Sequence, residues 1–190
     1  MSKVQEKFLK KDEINLFNPT ILEKLSLPAT DGLLIRPLKS TDHEKGYLVL
    51  LSQLTDVGNN ITKDQFLNRF FSIKAAGGYY IVVIEDIYTG KIIGCATLLV
   101  EQKFIHNCGL RGRLEDVVVD NNYRGKSLGK LVVTIIVQLS RYFHCYKLSL
   151  DCTDRLVPFY ENIGFKREPN NANHLNMRFP GDNVTEQSHL

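Results

Sequence analysis

The sequence predicts an α/β domain in which a mixed, mostly antiparallel twisted sheet is flanked by helices on both faces. Three observations lead there. Segments rich in β-branched and aromatic residues are interleaved with segments of helical period, in the order strand, two helices, three strands, helix, strand, helix, strand. Tyr79 to Asp86 and Ile92 to Glu101, with Tyr88-Thr89-Gly90-Lys91 at the turn, have the composition of an antiparallel hairpin. Ser127 to Arg141 carries Leu128, Leu131, Val132, Ile135 and Leu139 on one stripe, and is too long for an ordinary strand.

The elements follow in order. Residues 1–30 are polar and punctuated by Pro19 and Pro28, and are expected to form an N-terminal extension whose Ile21, Leu22, Leu25 and Leu27 can pack on the body. Leu33 to Leu38 alternates as a first strand, and Pro37, which has no N–H for a ladder, marks it as an edge or a strand end. Ser40-Thr41-Asp42 supplies N-cap candidates for a helix over 42–54, where Tyr47, Leu48, Leu50, Leu51 and Leu54 recur at helical spacing. Thr62 or a neighbour caps a second helix, with Phe66, Leu67, Phe70, Phe71 and Ile73 in period until Gly77-Gly78 stops it. After the hairpin, Arg113 to Asp120 reads as a strand ending in a turn at Asn121-Asn122. Beyond the helix from Ser127, Tyr146 to Cys152 reads as a strand, Arg155 to Ile163 as a short helix closed by Gly164, and His174 to Phe179 as a last strand. The expected domain spans 31–180, and 181–190 is expected to be a disordered tail.

Composition sets outer limits. The 190 residues hold 24 Lys+Arg against 21 Asp+Glu, with 43% hydrophobic and 24% charged residues, which is ordinary for one globular domain with tails. A net charge of +3 is too mild to imply nucleic acid, but it suits a small anionic ligand. The apolar stretch Ile92 to Val100 falls far short of the roughly 20 residues that span a bilayer. The first residues lack the apolar core of a signal peptide, so a cytoplasmic protein without a membrane span is expected. Cys95, Cys108, Cys145 and Cys152 show no CxxC spacing and the histidines no HExxH, so free thiols and no metal site are expected.

The chemistry concentrates where the strand ending Val117-Val118-Val119 runs through Asp120-Asn121-Asn122-Tyr123-Arg124-Gly125-Lys126 into Ser127-Leu128-Gly129-Lys130. A strand-to-helix junction gathers unsatisfied N–H groups and the positive end of a helix dipole, which suits phosphate. Arg124, Lys126 and Lys130 add full charges, and Gly125 and Gly129 admit a ligand close to the backbone. A Walker A loop needs Gly where Asp120 stands, and a dinucleotide fingerprint needs Gly where Tyr123 stands, so both fail. Arg124-Gly125-Lys126-Ser127-Leu128-Gly129 resembles the (Q/R)-x-x-G-x-(G/A) pyrophosphate loop of the GCN5-related N-acetyltransferase (GNAT) superfamily, with Ser127 at the position of its first glycine. Phe159-Tyr160-Glu161-Asn162-Ile163-Gly164-Phe165 is similar to the FYxxxGF segment of the same families. The resemblance covers residues 31–180 and implies the acyl-CoA N-acyltransferase fold and acetyl-CoA as cosubstrate.

Within that superfamily, Lys103 to Gly109, Arg111 to Val119 and Cys145 to Cys152 resemble the glucosamine 6-phosphate N-acetyltransferases. That resemblance implies direct acetyl transfer to the 2-amino group of glucosamine 6-phosphate in a ternary complex, on the way to UDP-N-acetylglucosamine. It also implies the parts. Val117, Val118 and Val119 bind the pantetheine arm and offer an N–H to the thioester oxygen, and Gly125 to Lys130 grip the diphosphate. Tyr160 protonates the departing thiolate, and the Asp151 carbonyl draws the amine proton. Thr55, Lys103, Phe104, Ile105, His106, Glu115, Asp116, Val117, Tyr146 and Lys147 surround the sugar. Lys103 and His106 suit its phosphate and Glu115 its ammonium or a hydroxyl. Arg178 reaches the phosphate across a homodimer interface.

Each residue has a plainer reading. Lys103 and Lys147 are also what solvated surface lysines look like, Tyr160 fits the apolar face of a short helix, and Glu115 and Asp116 fit a charged strand. A peptide or other small amine as acceptor, and a non-catalytic acyl-CoA-binding module, remain open alternatives at this point.

Overall fold

Residues 79–86 and 91–102 form an antiparallel hairpin at the middle of the molecule's sheet, and the rest of the fold is arranged on it. The computed structural model describes residues 13–28, 30–58, 60–170 and 175. One five-stranded sheet has the order β1 (Leu33–Pro37), β2 (Tyr79–Asp86), β3 (Lys91–Gln102), β4 (Leu110–Val119), β5 (Cys145–Ser149). Strands β1 to β4 pair antiparallel, and β5 joins β4 in parallel. The fold class expected from the sequence is thus the one found, including Pro37 as the last residue of an edge strand.

Helices cover both faces of the sheet. On one lies α5 (Leu128–Tyr142), which buries Leu128, Val132, Val133, Ile135, Ile136 and Leu139. Each such side chain stabilises the fold by about 1.5–3 kcal/mol through apolar burial. Close approach depends on Gly112 of β4, where a Cβ would lie 2.9 Å from Ser140 Oγ of α5. The other face carries α2 (Tyr47–Leu51) and α3 (Lys63–Ala76), with Tyr47, Leu50, Phe66 and Phe70 buried. Covered on both sides, Ile81 to Ile84 of β2 are all buried, which is why that strand reads as a continuous apolar run. Thr62, one of the expected cap candidates, caps α3, and the structure adds a reciprocal bond from Gln65 that completes a capping box. Leu16, Phe17 and Leu22, the last in the short α1 (Thr20–Glu23), join the core, and Asn15 bridges to Lys39.

The helix expected over 42–54 is shorter in the structure. Asp42 does not cap it, because its carboxylate is fully buried and holds Arg36 through two bonds of 2.8 Å and the Lys39 N–H at 2.7 Å. Arg36 also donates to Glu85, whose other oxygen accepts from Lys45 at 2.6 Å. Turns therefore run to Gly46, which has φ +81°, before α2 begins. The strand expected to end at Cys152 stops at Ser149, and the helix expected from Arg155 opens as a 3-10 turn before α6 (Val157–Glu161). Residues 105–108 form a tight turn, α4 (Ile105–Cys108), in which His106, Asn107 and Cys108 have positive φ. The last strand expected over 174–179, Arg178 within it, and the tail 181–190 lie outside the described residues.

Candidate active site

Strand β4 is built to part from its neighbour. Opposite Cys95 and Thr97 of β3 stand Val118 and Glu115, so β4 holds one extra residue, and Asp116 in that bulge has φ +53°. A bulge bends and twists its strand. On the other side, β5 pairs with β4 only from Leu110↔Cys145 to Arg113↔Ser149. Among the described residues the remaining edge of β4, through Val119, has no strand partner. The Asp120 N–H donates to Ile93 O of β3 at 2.8 Å, so strand alternation turns the Val119 and Val117 N–H groups toward the open side.

That open edge leads directly into an anion site. Asp120 N-caps a single 3-10 turn (Asn121–Tyr123) by accepting the Asn122 N–H at 2.8 Å. The chain then passes Gly125, with φ +81°, and Ser127, with φ +57°, into α5. The first intrahelical bond is Leu131 N–H to Ser127 O, and no side chain caps the start, so the N–H groups of the first turn stay available with the dipole behind them. Arg124, Lys126 and Lys130 are exposed and, among the described residues, in no ion pair; Lys126 Nζ lies 5.0 Å above the Tyr123 ring. Ser127 occupies a left-handed conformation that explains why the superfamily pattern prefers glycine there.

The second motif folds against the first. A Cβ on Gly129 would lie 3.5 Å from Phe159 Cζ, which puts α6 beside the start of α5. Tyr160 of α6 is 8% exposed, with Phe159 and Phe165 edge-on at centroid distances of 4.9 and 5.8 Å. Burial, and after it the neighbouring Cys152, pushes the phenol pKa up, so it is a proton carrier at neutral pH.

Glu115 and Asp151 meet through a residue that the sequence did not single out. Arg113, the last residue of β4 paired with β5, donates Nε to Glu115 Oε1 and Nη2 to Asp151 Oδ2, both at 2.8 Å. It therefore spans the fork between the strands. Beside it, Ile73, Tyr79, Ile81, Thr97 and Leu99 with Glu115 and Asp116 line a pocket of about 350 Å³. Asp116 reaches solvent yet lies against the pocket wall, where desolvation and the charge of Glu115 raise its pKa and the Thr97 hydroxyl opposes the rise.

The other sugar-site candidates stand apart. Lys103 pairs with Glu101 at 2.7 Å, His106 stacks on Tyr146 at 4.2 Å, and Lys147 lies 3.6 Å from Glu168. Lys147 is in register with Arg111, four residues before Glu115, or roughly 13 Å along the strand. Phe104 is 97% exposed and Ile105 is exposed as well. Thr55 is exposed on the segment after α2, where Gln53 was also missed: its amide bonds Asp120 and the Asn121 N–H. Neither Arg113 nor Gln53 has a local signature beyond the period-two placement of Arg111, Arg113 and Glu115 on one face.

Comparison with known proteins agrees with this geometry. The acetyltransferase (GNAT) family model matches residues 47–165. A Drosophila melanogaster protein named probable glucosamine 6-phosphate N-acetyltransferase is 46% identical over 183 residues, covering 88% of this chain and 83% of its own length. A Dictyostelium discoideum protein, glucosamine 6-phosphate N-acetyltransferase 1, is 45% identical over 139 residues, with 73% and 87% covered. The crystal structure of glucosamine-6-phosphate N-acetyltransferase from Arabidopsis thaliana superposes with a TM-score of 0.73 at 38% identity, covering 77% of this chain and 98% of that one. The parted strand, the uncapped helix start and the buried tyrosine beside it fit that match, and this chain belongs to the acetyltransferase (GNAT) family.

Proposed function

We propose that this protein transfers the acetyl group of acetyl-CoA to the 2-amino group of glucosamine 6-phosphate, forming N-acetylglucosamine 6-phosphate and free coenzyme A. One observation carries the reading: the open edge of β4 ends at the uncapped start of α5, so thioester and diphosphate have complementary groups in line along one strand and one helix. Val117 and Val119 present N–H groups for the pantetheine arm and the thioester oxygen, where developing negative charge gains most from a fixed donor. The residues from Arg124 to Lys130 hold the diphosphate through backbone N–H groups and cationic side chains.

The amine nitrogen attacks the thioester carbon, a C–N bond forms and the C–S bond breaks. Tyr160 gives its proton to the departing sulfur and regains one from solvent, while the amine loses its proton toward the Asp151 carbonyl and water. Glu115, oriented by Arg113, takes the ammonium or a sugar hydroxyl, and the pocket beside it accommodates the ring. Lys103, His106 and Lys147 supply the phosphate site, with Arg178 of a second copy. Homodimerisation belongs to the same reading, since the exposed Phe104 and Ile105 give an apolar tip beside that cation cluster. A cytoplasmic role in the supply of UDP-N-acetylglucosamine follows from the product.

Thiol release from acetyl-CoA, measured with glucosamine 6-phosphate, glucosamine and a lysine peptide, tests the proposal. Turnover should require the sugar phosphate. Preference for the peptide would make this a protein acetyltransferase, and no turnover with any amine would make it a binding module.

A further inference from the structure

The loop that follows β4 makes few bonds of its own. Within it the backbone bonds are Tyr123 N–H to Asp120 O at 2.9 Å and Arg124 N–H to Asn121 O at 3.5 Å, the latter at the limit of a hydrogen bond. Its position therefore depends on side chains from elsewhere. Tyr123 donates its hydroxyl proton to Asp86, whose other oxygen accepts the Tyr88 and Thr89 N–H groups of the hairpin turn. The near end of the loop is held by Gln53, on the turn after α2. Gln53 Nε2 donates to Asp120 Oδ2 at 2.9 Å, and Gln53 Oε1 accepts the Asn121 N–H at 2.9 Å.

One carboxamide thus bonds two successive residues at the point where the open strand edge becomes the anion loop. Asp120 is held from both sides, since its Oδ1 accepts the Asn122 N–H at 2.8 Å. We propose that Gln53 is a positioning residue for the acetyl-CoA site: its amide fixes the junction between the strand edge that takes the thioester arm and the loop that takes the diphosphate. The inference rests on the acetyl-CoA reading above. The two halves of that ligand are bound by different elements, and the junction sets their relative orientation. Gln53 is only half-buried, so its side chain contributes through these bonds more than through apolar packing. Two residues further on stands Thr55, so the same turn carries an acceptor-side candidate.

The test is calorimetric titration of the full chain with coenzyme A, paired with steady-state kinetics, for wild type, Gln53→Ala, Gln53→Glu and the double variant Gln53→Glu with Asp120→Asn. Gln53→Ala should weaken coenzyme A about 10-fold, as expected for two hydrogen bonds lost at a partly exposed site, and raise KM for acetyl-CoA more than it lowers kcat. Gln53→Glu should be worse than Gln53→Ala despite its closer shape, because its carboxylate faces that of Asp120. The double variant should recover to within about threefold of wild type, since the amide introduced at 120 donates to the carboxylate introduced at 53. A packing role predicts the opposite ranking, with Gln53→Glu nearer to wild type than Gln53→Ala, and no recovery in the double variant; that result overturns the inference. Wild-type binding with an unchanged Gln53→Ala also overturns it. If wild type itself takes up no coenzyme A, it is the acetyl-CoA reading that falls.

Discussion

Replacing Tyr160 with Phe removes one oxygen from a side chain that is almost wholly buried and leaves its ring against Phe159 and Phe165. The fold should lose no more than about 1 kcal/mol, so a change in rate reports chemistry. Because burial holds the phenol pKa above its ordinary value, the hydroxyl keeps its proton through the neutral range and can deliver it. A free thiol ionises near 8.5, so at about pH 7 a thiolate that leaves without help takes its proton from solvent with a gain of about 1.5 pKa units, or ~2 kcal/mol, which is what an acid at the site can bring forward into the transfer step. That limits the advantage of an internal acid to about 30-fold. Tyr160→Phe should therefore lower kcat by about 10- to 30-fold at about pH 7, with KM for the acceptor within about twofold. Above about pH 8.5 the thiolate leaves unaided and the deficit should shrink. The raised phenol pKa keeps wild type supplied with its proton through that window. Following thiol release from about pH 6.5 to about 9.5 measures both effects. An unchanged kcat with a raised KM, or a deficit that widens with pH, would refute the role.

Four further outcomes are expected. Asp42→Ala leaves the Arg36 guanidinium buried with half its partners gone, which should cost about 3–5 kcal/mol and lower Tm by at least about 6 °C in a thermal melt; an unchanged Tm would contradict the ion-pair account. In the same network, burial acts to raise the Glu85 pKa, but Lys45 and Arg36 outweigh it and hold the carboxyl below its ordinary value. Its contribution is therefore present above about pH 4.3 and is lost as pH falls through the lower folded value, so Tm should be level down to about pH 5 and fall below about pH 4. Ser127→Gly relieves a left-handed residue and should raise Tm by about 2–4 °C, corresponding to ~1 kcal/mol, and a fall in Tm would contradict the strain argument. Lys103→Ala should raise KM for glucosamine 6-phosphate about 10-fold while coenzyme A titrates as in wild type; equal weakening of both ligands would point to a damaged fold.

Much of this was legible in local pattern. The period-3.6 stripe of α5, the β-branched hairpin and the cap at or near Thr62 are signals that a few adjacent residues carry, and the structure places each within a residue or two of its expected bounds. The loop and the Phe159-Tyr160 segment were legible for the same reason, as short runs with fixed chemistry. What escaped the sequence depends on distant partners. Arg113 meets Asp151 across 38 positions and Gln53 meets Asp120 across 67, and no local period encodes either contact. Asp42 misled because an N-cap and a buried ion-pair partner call for the same residue type, and only the neighbouring strands decide between them. The early end of β5 and the bulge at Asp116 escaped for the same reason, since Asp116 is a left-handed residue at a position whose side chain gives no hint of it.

The account stands most directly on where coenzyme A sits, and amide chemical-shift mapping of the isotope-labelled chain during a coenzyme A titration measures that. The largest shifts should fall on Val117, Val119 and the amides from Gly125 to Lys130, with smaller ones around Tyr160. Shifts confined to the cations near Lys103 and Lys147, with the open edge of β4 and the start of α5 unmoved, would contradict it.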